Sequence, residues 1–114
     1  MGASRTLLAV AAFAGLSACG TGTRPMPPPT GAPETLEVAG TEYVVTRSAV
    51  SSMPGGELMR VYRPRGASFD YAEGKTAKAV ALAFCDGYGR DLSPWAMGMF
   101  EPIGAWAFPG GCAE

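Results

Sequence analysis

A proline-rich stretch divides this sequence and limits how much of it can fold. Residues 20–33 contain five prolines and three glycines, namely Pro25, Pro27, Pro28, Pro29, Pro33, Gly20, Gly22 and Gly31. This composition disfavours a packed helix or a central strand, because proline lacks the backbone N–H and restricts its neighbours. We therefore interpret the stretch as a linker biased toward polyproline II, with a Pro-rich ligand for a groove-bearing partner as the alternative. Fewer than 85 residues then remain for one small domain with a thin core.

The segment before this linker has the pattern of an export signal. Residues 1–6 carry one positive charge, Arg5, and Leu7 to Leu16 form an uninterrupted run of ten apolar and small residues. A membrane-spanning helix needs roughly 20 apolar residues, so this run is too short to span. The pattern predicts a secretory signal peptide over residues 1–18.

The residues that follow the apolar run are Leu16, Ser17, Ala18 and Cys19. They resemble the lipobox of bacterial lipoprotein precursors, and the resemblance covers only the first nineteen residues. It implies cleavage after Ala18 and attachment of lipid, including fatty acids such as palmitate, to Cys19. Because Gly20 stands where an Asp would retain the protein in the inner membrane, the resemblance implies an outer-membrane anchor facing the periplasm. The alternative is an ordinary signal peptide, with Cys19 a plain cysteine.

Charge and composition restrict the possible functions. Cleavage after Ala18 leaves 96 of the 114 residues, with 8 Lys and Arg against 10 Asp and Glu. This near-neutral balance disfavours nucleic acid as a partner. The chain has no His, which removes the commonest general base and zinc ligand, and we expect neither a metal nor a cofactor.

We assign residues 19–34 to a lipidated Cys and linker, and residues 35–114 to the folded domain. The domain begins with three predicted strands. Residues 36–38 and 41–47 are β-rich and flank Ala39-Gly40, which predicts a tight hairpin. Residues 57–63 alternate in polarity and predict a third strand.

The spacing of the apolar residues then changes from the two-residue period of a strand to the period of a helix. Asp70 and Glu73 have the spacing of a capping box, and the apolar stripe after them consists of Ala77, Val80, Ala81, Phe84 and Tyr88. A last strand is predicted over residues 105–108, with an extended piece possible around 96–100. The expected fold is α+β: about four antiparallel strands in the order β-β-β-α-β, with one helix packed on the sheet.

Two cysteines remain once Cys19 is set aside. Export would place Cys85 and Cys112 in an oxidising compartment, where a disulfide is the natural pairing. It would close a loop of about 28 residues, worth roughly 3.5 kcal/mol on the chain-entropy model. A redox or nucleophilic cysteine is disfavoured, because the chain contains neither a Cys-x-x-Cys motif nor a His to lower the thiol pKa.

Three short patterns suggest ligands but are better explained otherwise. Gly74-Lys75-Thr76 resembles the end of a phosphate-binding loop, but the required upstream Gly is replaced by Phe69. Met97 and Met99 offer two thioethers for Cu(I), fewer ligands than soft-metal sites usually gather. A further pattern is a possible basic patch, made of Arg60, Arg63 and Arg65, although regular alternation points Arg60 and Arg63 to opposite faces.

These observations favour a lipid-anchored, non-catalytic envelope protein that binds a protein or an envelope polymer, or has a structural role. The alternative is a small hydrolase or transferase that uses the carboxylates of Asp86 and Asp91, although Asp is equally expected as a turn former there. Trp95 and Trp106 are candidates either for lining a ligand groove or for closing the thin core.

Overall fold

The computed structural model describes residues 24–114, so Cys19 and the predicted signal peptide lie outside the described residues. The elements are β1 (Glu34–Val38), β2 (Thr41–Ala49), β3 (Glu57–Tyr62), α1 (Gly74–Asp86), β4 (Met99–Glu101) and β5 (Ala105–Pro109). They form one five-stranded sheet in the order β1-β2-β3-β5-β4, with every neighbouring pair antiparallel. The α+β fold with one helix on one sheet is therefore confirmed, and the additional strand is β4.

The first hairpin has the predicted tight turn. Ala39 and Gly40 both have positive φ angles, 51° and 81°, as a two-residue turn that follows the right-handed twist of its strands requires. Val38 then pairs with Thr41. β2 continues to Ala49, two residues beyond the prediction, because Ser48 and Ala49 pair with the first residues of β3.

The helix begins where the capping pattern predicts. The Asp70 carboxylate accepts a hydrogen bond from the Ala72 N–H, and the Glu73 carboxylate accepts one from the Asp70 N–H, both at 2.9 Å. A single 3-10 turn over Tyr71–Glu73 leads into α1. The whole predicted apolar stripe is buried, namely Ala77, Val80, Ala81, Phe84 and Tyr88.

The core lies between α1 and one face of the sheet. Val45, Met59, Val61 and Phe108 are the central strand residues of this layer, and each has at most 1% of its surface exposed. Gly74, at the start of α1, is required by this packing, because a Cβ there would lie 2.7 Å from the ring of Trp106.

The predicted arginines lie apart, with Arg60 on the face of the sheet away from α1 and Arg63 on the α1 side, over the ring of Phe69. Arg60 pairs with Glu101 across β5, where the intervening side chains are small alanines. Arg63 pairs with Glu73, and Arg65 pairs with Glu42. Each guanidinium therefore has its own carboxylate, and the three do not form a shared basic patch.

The proline-rich stretch differs from a free spacer over its described part. Met26 packs against the hydrophobic core, and the carbonyl oxygen of Pro27 accepts a hydrogen bond from Arg47 at 2.6 Å. Thr30 forms an isolated antiparallel bridge with Ser48 of β2. The prolines supply an extended backbone with few donors to satisfy, so the segment can lie along the end of the sheet.

In the described part of the chain, no helix combines the length and the apolar character that crossing a bilayer would take.

Candidate functional site

A groove of about 600 Å³ opens at the end of the sheet where α1 ends. Residues 26–29 line one side of it, and residues 93–95 and 112–114 line the other. Arg47 and Glu57 lie between these segments. The volume is within the range of small-molecule and peptide-binding clefts. We refer to this concavity as the end groove.

The base of the end groove is an ion pair that the sheet register creates. Arg47 occupies the last inward position of β2 after Tyr43 and Val45, and Glu57 is the first residue of β3. The guanidinium donates Nε–H and Nη2–H to the two carboxylate oxygens at 2.8 and 2.9 Å. The side chains are only 8% and 13% exposed. Because both charges are largely buried, each needs the two hydrogen bonds that it makes with the other. These two bonds fix the positions of the guanidinium and the carboxylate.

The C-terminal wall of the end groove is held by backbone hydrogen bonds and by the disulfide. The Ser93 N–H donates to the Gly111 carbonyl, and the Ala113 N–H donates to the Asp91 carbonyl, both at 2.7 Å. The predicted bridge between Cys85 and Cys112 is confirmed, with the Cα atoms 5.4 Å apart. The chain terminus is thus tied to the end of α1, in agreement with the prediction.

The glycines after β5 allow this wall to approach the ion pair. Gly110 and Gly111 have positive φ angles of 86° and 56°, which favour glycine. The Gly110 N–H donates to the Glu57 carbonyl at 2.8 Å. A Cβ on Gly111 would collide with the Glu57 carboxylate. Close passage of the backbone over Glu57 therefore explains the Gly-Gly pair.

The two tryptophans have separate roles. Trp106 is 9% exposed, donates its indole N–H to the Asp70 carbonyl, and closes the core near the start of α1. Trp95 lines the end groove and is 66% exposed. The structure therefore does not bring the two rings together into one groove.

The other candidate residues of the sequence lie on open surface. Asp86 and Asp91 are exposed and line a shallow depression of about 340 Å³ together with Arg90. Met97 is 77% exposed and Met99 47% exposed. Among residues 24–114, no three His, Cys, Asp or Glu side chains come together in a way that could hold a metal ion.

Tyr88 connects the start of the described chain to the fold. Its ring lies 4.3 Å from the Arg24 guanidinium carbon, and its hydroxyl donates to Glu34 at 2.8 Å. Burial, followed by the hydrogen bond to Glu34, raises the pKa of Tyr88 above its ordinary value. The hydroxyl therefore remains a neutral donor that joins α1 to β1.

Sequence reasoning did not identify Arg47 and Glu57. The available signal was alternation, because Arg47 continues the inward series of Tyr43 and Val45, where a charged residue needs a partner. The partner could not be chosen without the β2–β3 register, which brings Glu57 diagonally opposite.

Comparison with known proteins identifies no relative: the chain matches no family model, no curated protein and no solved structure. A functional proposal for this chain therefore rests on the end groove and on the N-terminal sequence. Neither of these features depends on the other, so they can be tested separately.

Proposed function

We propose that this chain is the precursor of a lipid-anchored envelope protein whose domain is a non-catalytic binding module. The anchor is supported by Leu16 to Cys19, which resemble a lipobox directly after an export signal. The binding role is supported by the end groove. Its ligand is a segment of an envelope protein or polymer, and the protein resides at the periplasmic side of the outer membrane.

The observation that carries the binding role is the rigid, two-walled geometry around Arg47 and Glu57. The ion pair, the disulfide and the Pro27 contact fix both walls of the end groove before any ligand arrives. A preformed groove loses little conformational entropy on binding. The prolines of residues 27–29 and Pro94 present flat apolar surfaces, which suit an extended chain or sugar rings.

The same geometry argues for binding and against catalysis. Both carboxylate oxygens of Glu57 accept hydrogen bonds from Arg47, so this carboxylate is occupied by its partner. A general acid or base needs free access to the proton that it transfers. Asp86 and Asp91, the alternative catalytic pair, lie in a shallow exposed depression that excludes little water.

The binding role is tested by blocking the end groove without disturbing the core. Ala113 lines the groove and is only partly buried, so Ala113→Trp should fill the groove. Ala79 is an exposed helix residue, and Ala79→Trp is the matched control. Purification of the crosslinked wild type from intact envelopes should recover a partner that Ala113→Trp loses and Ala79→Trp retains. Equal recovery by all three proteins would contradict the role of the groove.

The anchor is tested through the thiol itself. Wild type should incorporate labelled fatty acid and fractionate with the outer membrane, because the acyl chains partition into lipid at ~0.8 kcal/mol per methylene. Cys19→Ser should incorporate none and accumulate as the uncleaved precursor. Wild type without lipid would contradict the anchor and leave the end groove unaffected.

A further inference from the structure

One wall of the end groove is formed by the part of the chain that leads to the predicted lipid anchor. Residues 26–29 line this wall, and they belong to the stretch between Cys19 and β1. The opposite wall, made of residues 93–95 and 112–114, belongs to the folded domain and is joined to α1 by the disulfide. The groove therefore has two walls only while the first segment lies on the domain. We refer to residues 24–31 as the docked segment.

Both ends of the docked segment are held by contacts outside the groove lining. At its start, the Arg24 guanidinium lies over the buried Tyr88 ring, and the Arg24 Nε–H donates to the Gly87 carbonyl at 3.4 Å. At its end, the Gly31 N–H donates to the Arg47 carbonyl at 2.6 Å. Neither Arg24 nor Gly31 lines the end groove. The position of this wall therefore depends on residues that a ligand in the groove does not contact.

The two walls are attached to the domain with different strength. The three prolines of residues 27–29 have no backbone N–H to donate, and the Pro27 carbonyl accepts one hydrogen bond from Arg47. Met26 is only partly buried against the core, whereas Cys112 ties the opposite wall to α1 covalently. Segments with few hydrogen bonds and little buried apolar area open at the lowest free energy. The docked segment is therefore the wall that can leave, and β1 keeps its own pairs with β2 when it does.

We propose that the docked segment is a detachable wall, so that docking of this segment and retention of a ligand in the end groove strengthen each other. The inference rests on the binding role and on the lipid anchor of the proposed function. A ligand that contacts both walls has a higher affinity for the docked state than for the released state, and such coupling is reciprocal. A bound ligand holds the segment on the domain, and removal of the segment lowers the affinity for the ligand.

Release of the docked segment also changes how far the domain can lie from the lipid. In the docked state Arg24 is fixed to the domain, and only five Cα–Cα steps of at most ~3.6 Å separate it from Cys19, a span of about 18 Å. In the released state the first fixed residue is Glu34, fifteen steps from Cys19, which allows roughly 45 Å in an extended polyproline II conformation. The groove should therefore retain its ligand close to the lipid surface and lose it when the domain is drawn away.

The test compares two double variants of the full-length lipidated protein. Arg24→Ala with Gly31→Pro weakens both ends of the docked segment and leaves every residue that lines the groove in place. Gly31 has a φ angle of 87°, which proline cannot adopt, and proline has no N–H to donate. The matched control is Arg65→Ala with Ser51→Pro. Arg65 is an exposed arginine, and Ser51 is the second residue of an exposed turn, where proline is tolerated.

Two measurements report docking and ligand retention separately. Neutron reflectometry from a supported phosphatidylcholine bilayer gives the height of the domain, and the test variant should shift outward by on the order of 10 Å from the wild type and the control. In cells, a photo-crosslinking amino acid at Glu114, which lines the groove, reports the bound partner. Its crosslinked product should fall several-fold in the test variant and remain at the wild-type level in the control.

Each result decides between the coupling and the proposed function. A test variant that shifts outward and keeps the crosslinked product would overturn the coupling and leave the binding role intact. Equal heights of the wild type and the test variant would overturn the docked state at the membrane. Arg24→Ala alone changes one exposed side chain and should move both measurements in the same direction by a smaller amount, so the result does not depend on the added proline. A wild type without any product would overturn the inference together with the binding role, and a wild type without lipid would overturn it together with the anchor.

Discussion

Removal of the disulfide should destabilise the domain strongly, because the domain is small and the bridge closes a long loop. Cys85 and Cys112 are 27 positions apart, which gives a closed loop worth about 3.5 kcal/mol on the chain-entropy model. For a domain of this size, each kcal/mol lowers the melting temperature by roughly 4 to 8 °C, so the expected fall is about 14 to 28 °C. This is a large share of the total stability of a small domain.

The perturbation should remove the bridge without adding a buried polar group. Cys85 is fully buried, so Ala is the better replacement, since the hydroxyl of a Ser would be buried without an assured partner. The test variant is therefore Cys85→Ala with Cys112→Ala. Its C-terminal wall would be held only by noncovalent contacts such as the hydrogen bonds of Ser93 and Ala113. We expect this wall to open first, which links the bridge to the shape of the end groove.

The assay is thermal unfolding followed by circular dichroism, with the oxidised wild type as reference. Hydrogen exchange at the Ala113 amide reports the wall separately and should become faster in the variant. The reduced wild type is the control, because it loses the same bridge without a change of sequence, and it should melt near the variant. A fall of less than ~4 °C, equivalent to under ~1 kcal/mol, would refute the reasoning.

Other predictions concern the groove ion pair and the helix cap. Glu57→Ala should cost about 3 kcal/mol in urea unfolding, because it leaves the Arg47 guanidinium buried without its carboxylate. Glu57→Leu combined with Arg47→Met should recover most of that loss, and no recovery would contradict the ion-pair account. The Asp70 N–H and then Arg63 hold the pKa of Glu73 below its ordinary value. This stabilisation is complete above the ordinary Glu pKa of ~4.3 and is lost as the pH falls through the lowered pKa. Unfolding measured across this pH range should show a smaller loss for Glu73→Gln, and an equal loss would contradict the cap assignment.

Local signals predicted much of the fold. Ala39-Gly40 marked the hairpin because the tight turn needs positive φ angles, and the spacing from Asp70 to Glu73 marked the start of α1 because it satisfies two backbone donors. The disulfide was predicted because two cysteines remain once Cys19 is set aside, and because of where Cys85 and Cys112 lie in the chain. Each of these features depends on residues close in sequence, or on the small number of cysteines.

Features that depend on distant pairing were predicted only in part: an extended piece was expected around residues 96–100, but not its place as an edge strand of the sheet. β4 has only three residues between Gly98 and Pro102, and it is a strand because Phe100 pairs with Trp106 of β5. Such a short segment has no alternation to detect. The contacts of Met26 and Pro27 were missed for a related reason, since proline-rich composition predicts an extended backbone but not the surface on which it lies.

The central claim is that the end groove binds a partner in the envelope. A photo-crosslinking amino acid at Glu114, which lines the groove and is exposed, tests it most directly in living cells. The same probe at Lys75, exposed on α1, is the control. We predict a discrete crosslinked product from Glu114 that is absent from Lys75 and is lost when Ala113→Trp fills the groove. Identical products from both positions, or no product from Glu114, would contradict the account.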